Sequence, residues 1–70
     1  MVHAGIVYLH SKSGKHYLTL LEGVLHTETQ ERLTIYSNAV GQLFTRPSAM
    51  FHDGRFRPTG EDPDTFLWRP

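Results

Sequence analysis

A chain of 70 residues with no cysteine makes one small domain, without disulfides or thiolate metal centres. Its formal net charge is zero, with 7 basic and 7 acidic residues, so no broad basic track for nucleic acid exists. No apolar run approaches the roughly 20 residues that cross a bilayer, and the start lacks a signal-like apolar core, which predicts a cytoplasmic protein without a membrane partner.

The β-branched and aromatic run Gly5-Ile6-Val7-Tyr8-Leu9-His10 predicts a first strand, and Ser11-Lys12-Ser13-Gly14 a turn after it. The stretch from Lys15 to His26 fits two periods. Tyr17, Leu18, Leu21, Val24 and Leu25 make a helical stripe, yet Leu18, Leu20 and Val24 also alternate with Tyr17, Leu21 and Leu25. Gly23 and Thr19 weaken a helix, so a long strand bent or bulged at Gly23 is expected. The polar segment His26-Thr27-Glu28-Thr29-Gln30-Glu31 reads as a hairpin tip leading into the strand Arg32-Leu33-Thr34-Ile35-Tyr36.

Ser37-Asn38 and Gly41 mark the next turn, and Gln42 to Arg46 a short fourth strand whose pairing stops at Pro47. Ser48 is then placed to cap one helical turn that tucks Met50 and Phe51 under the sheet. His52-Asp53-Gly54-Arg55 is a tight turn before a closing strand at Arg55-Phe56-Arg57. The expected fold is all-β: a small SH3-like barrel of four to five antiparallel strands with one short helical turn, covering residues 1–58. Residues 59–70 form a tail of linker-like composition ending in the apolar Phe66-Leu67-Trp68. That cluster covers an open edge of the barrel, docks on a neighbouring subunit, or stays loose. A domain this short buries little apolar surface, which makes a homo-oligomer the expected source of added stability.

Charge is unevenly placed. Up to residue 60, Lys12, Lys15, Arg32, Arg46, Arg55 and Arg57 stand against Glu22, Glu28, Glu31 and Asp53, a net of +2. The tail carries Glu61, Asp62 and Asp64 against Arg69, a net of −2. The mild positivity of the barrel suits an anionic ligand. Arg46 is the leading candidate, because its planar fork matches phosphate or carboxylate and Pro47 stiffens the backbone after it. Strands paired in chain order bring Tyr36 and Phe44 to the same face, as flat surfaces for a base. His26, Thr27 and Glu28 add polar contacts from the hairpin tip, and Arg55 and Arg57, flanking Phe56, offer a further anion contact. The competing structural reading has Arg46 bridging Glu28 or Glu31 and the tip residues bonding their own turn. The histidine spacings match no metal-ligand signature, and an exposed Glu28–Glu31 pair has no pocket to shift a pKa, so neither a metal cofactor nor catalysis is expected.

Taken in order, Tyr8-Leu9-His10, Gly14, Tyr17, His26-Thr27-Glu28-Thr29-Gln30-Glu31, Tyr36, Gly41 and Arg46-Pro47-Ser48-Ala49-Met50-Phe51 resemble the DUF1653 family, small bacterial and phage domains of unknown function. The likeness spans about residues 6–54. Phe44-Thr45 stands where members usually carry Trp-Val, and Val40-Gly41 where they usually carry Tyr-Gly. The resemblance implies a small, mostly β domain and brings no catalytic residues with it. The expected function is a non-enzymatic binding module for a small phosphorylated or nucleotide-like ligand. The family's distribution extends this to a phage protein that sequesters a nucleotide signal of host defence. A binder of single-stranded nucleic acid or RNA and a protein-interaction adaptor are the alternative expectations.

Overall fold

A computed structural model describes residues 2–3 and 5–66. Six antiparallel strands make one sheet: β1 (Val2–His3), β2 (Val7–His10), β3 (His16–Leu25), β4 (Arg32–Ser37), β5 (Leu43–Pro47) and β6 (Phe56–Pro58). Single helical turns α1 (Ser48–Phe51) and α2 (Pro63–Phe66) follow β5 and β6. The order along the sheet is β5-β4-β3-β2-β6, with β1 beside the far half of β3. The chain is thus a meander from β2 to β5, after which β6 returns to pair with β2.

The long strand expected around Gly23 is present, and it is what curls the sheet. Against β4, Thr19 pairs with Tyr36, Leu21 with Ile35 and Val24 with Leu33, so β3 carries one extra residue in each interval. Each extra residue bends its strand and increases local twist. Gly23 sits in the second interval at φ 71°, a left-handed conformation that costs glycine little. With this coil, the two ends of the open sheet approach each other: the Arg46 guanidinium carbon on β5 lies 5.4 Å from the Phe56 ring centroid on β6.

The concave face is aromatic. Tyr8, Tyr36, Phe51 and Phe56 are buried there, with Tyr17 and Phe44 packed against them. Phe51 and Phe56 stack at 4.2 Å, and Tyr8 meets Phe51 edge-on at 5.0 Å. Alternation along each strand sends Val7 and Leu18 to a second cluster, closed by Phe66 at 1% exposure. The tail therefore folds back as far as Phe66, and that residue belongs to α2 rather than to an unstructured cluster. Thr59 fixes its start, donating from its amide to the Val7 carbonyl at 3.0 Å. Leu67 and Trp68 lie outside the described residues.

Two local expectations need correction. Ser48 is the first residue of α1, not its cap: Pro47 stands at that position and no side chain caps the turn. The Ser48 hydroxyl is instead 2.9 Å from that of buried Thr34. Phe51 is tucked under the sheet as expected, but Met50 is exposed, because a single four-residue turn points only one of the two inward. No helix among the described residues is long and apolar enough to cross a membrane.

Candidate functional site

The register of β4 and β5 sets Tyr36 opposite Phe44 and Thr34 opposite Arg46. With a side-chain period of two, Tyr36, Phe44 and Arg46 share the concave face, as the sequence predicts. Tyr36 and Phe44 stack at 5.5 Å with planes 29° apart. Tyr36 is only 5% exposed, so its ring belongs to the core and presents no face to a ligand. Its hydroxyl does reach the candidate cation, accepting a 2.9 Å hydrogen bond from Arg46 Nε. The guanidinium is thereby held from two sides, by the Tyr36 hydroxyl at Nε and by the Phe56 ring beneath it. No acidic side chain among the described residues pairs with Arg46.

Arg46 lines a cleft of about 560 Å³ together with His10, Ser11, Lys12 and Arg55. These come from three separate segments: the end of β2 with its turn, β5, and the turn before β6. The two turns are tied by a 3.0 Å bond from the Ser11 amide to the Arg55 carbonyl. Within the first turn, His10 Nδ1 lies 2.8 Å from the Ser13 hydroxyl and also accepts from the Ser13 amide at 3.3 Å. That pattern assigns the ring proton to Nε2. The His10 ring rests on Phe56 at 4.8 Å. Arg55 pairs with Asp53 at 3.1 Å from outside the cleft, an exposed pair worth little in water. Among the described residues, no carboxylate lines the cleft.

The hairpin tip does not join this group. His26, Thr27 and Glu28 stand at the far end of β3 and are absent from the cleft lining. The tip bonds to itself: His26 Nδ1 accepts from the amides of Glu28 and Thr29 at 3.2 and 3.3 Å. The Thr29 hydroxyl accepts from the Glu31 amide at 3.3 Å, and the Gln30 side chain donates to the Thr27 carbonyl at 3.1 Å. Of the hairpin hydroxyls and carboxylates, none reaches Arg46.

Lys12 and His10 were not singled out for the site by sequence reasoning, and neither was a second polar cluster across the concave face. There Glu22 pairs with His52 at 2.7 Å through one oxygen and accepts from the Thr34 hydroxyl through the other. Burial, with the Glu22 charge second, raises the Tyr8 phenol above its ordinary value. The Ser48 hydroxyl bonds to Thr34, and His52 Nε2 to Glu22. Among the described residues, no group of three or more His, Asp or Glu side chains converges as a metal cage would require.

Neither the curated proteins nor the solved structures contain a match to this chain. The family model described as a protein of unknown function, DUF1653, matches residues 6–58, from the segment before β2 through the last residue of β6. That span contains every strand of the β2-to-β6 path and the five described residues that line the cleft, and the chain belongs to the DUF1653 family.

Proposed function

We propose that this protein is a non-enzymatic binding module that captures a small phosphorylated, nucleotide-like ligand in the Arg46 cleft. The observation that carries the reading is a cleft lined by Arg46, Arg55, Lys12, His10 and Ser11, with no acidic residue in that lining among the described residues. Arg46 is pre-oriented by Tyr36 and Phe56, which lowers the ordering cost of gripping an anion. A volume of about 560 Å³ falls within the roughly 300–1,000 Å³ of small-ligand sites. Half-buried Phe44 is the remaining aromatic surface for a base, while Tyr36 acts through Arg46.

Local charge concentrated in one cleft of a neutral chain suits a small anion better than a long polyanion, whose binding needs a track of cations. Self-association is part of the same proposal. Val40, in the turn before β5, and Leu43, the first residue of β5, are 83% and 64% exposed, and β5 is the outer strand of the sheet.

Native mass spectrometry of the gently purified protein tests this. A defined oligomer with a stoichiometric extra mass of nucleotide size, absent from folded Arg46→Ala, is the expected spectrum. A bare monomer from both proteins overturns the reading and favours a protein-binding adaptor.

A further inference from the structure

We propose, resting on the reading above, that the cleft selects a terminal phosphomonoester over a phosphodiester. Three cationic residues line it from three segments: Lys12 from the turn after β2, Arg46 from β5 and Arg55 from the turn before β6. A monoester presents three non-bridging oxygens and, with its second pKa near about 6, close to two negative charges at neutral pH. A diester presents two such oxygens and one charge. Three cationic side chains in one cleft are better neutralised by the former.

The donor chemistry agrees. Arg46 spends Nε on Tyr36, which leaves its two terminal nitrogens for one phosphate edge. His10, whose Nδ1 accepts from the Ser13 amide, and Ser11 line the cleft as further polar residues. Arg55 is held only by exposed Asp53, so a dianion exchanges one weak pair for a stronger one. Among the described residues no carboxylate lines the cleft, and Asp53 reaches Arg55 from outside it.

Calorimetric titration of the whole chain at about pH 7.5 with inorganic phosphate, AMP, 3′,5′-cyclic AMP and adenosine separates the cases. AMP is expected to bind at least about tenfold more tightly than the cyclic diester, with adenosine weakest. Arg55→Gln removes one cation and leaves the backbone carbonyl that Ser11 uses, so it is expected to remain folded and to shrink the AMP preference to a few-fold. Equal binding of AMP and the cyclic diester, or an unchanged preference in Arg55→Gln, overturns the monoester assignment and leaves the anion-binding reading standing. No binding of inorganic phosphate, AMP or the cyclic diester at millimolar concentration overturns both.

Discussion

Tyr36 spends its hydroxyl on Arg46 and its ring on the core, and the two roles can be separated. Tyr36→Phe keeps the ring and frees Nε. Stability is expected to fall by about 1 kcal/mol, and AMP affinity several-fold as the guanidinium loses its orientation. A denaturation curve and a titration on the same variant check both, and unchanged affinity would sever Tyr36 from the site. Tyr8 gives a pH prediction. Burial, reinforced by Glu22, favours its neutral phenol and raises its pKa above 10.0. The associated stability is complete below the unfolded value and is lost as pH rises through the raised folded value. Wild type should therefore weaken more steeply than Tyr8→Phe above about pH 10. Urea unfolding at stepped alkaline pH measures this, and parallel profiles would contradict it. At this scale the face that Arg46 shares with Tyr36 and Phe44 was legible, because alternation on a strand fixes a side chain's face. Lys12 was not: its place beside Arg46 depends on a bond between two turns 44 positions apart, Ser11 to Arg55.

Strand β3 determines whether the sheet is flat or coiled, and Gly23 is its left-handed step. No atom stands within 4 Å of where a Cβ would go, so a substitution there meets backbone strain and no collision. Gly23→Ala is expected to cost about 1–2 kcal/mol, and Gly23→Asn less, because asparagine tolerates positive φ better. Equal thermal midpoints for Gly23→Ala and wild type would show that β3 can take its bend elsewhere. The bend was readable because glycine and β-branched residues interrupt an otherwise apolar alternation. The helical turn after Pro47 was readable too, but its capping was misassigned. Ser48 has the chemistry of a cap, and a longer-range partner, Thr34, claims its hydroxyl instead.

For the molecule as a whole, the family match ends at residue 58, but the packed structure continues to Phe66. Thr59 continues the line of β6 by bonding the Val7 carbonyl, and Phe66 seals Val7 and Leu18. Removing a buried phenyl costs about 3–5 kcal/mol, a large share of a stability that is small for so short a chain. Phe66→Ala should lower the urea midpoint accordingly without changing which anions bind. A midpoint that stays in place would mean the tail is not part of the cooperative unit. The sequence left the tail's position open, since three apolar residues after a polar linker say nothing about which surface they meet.

The bond between the Ser11 amide and the Arg55 carbonyl has a temporal side as well. Arg46 and Lys12 are synthesised before the segment that brings them together, and the recess exists only once residue 55 has come back to residue 11. Under the proposed function, a ligand that needs all three cations would grip only a chain folded through residue 55. Such a ligand would withdraw folded molecules from the pool that still opens and closes, so its abundance would set how long each copy survives proteolysis.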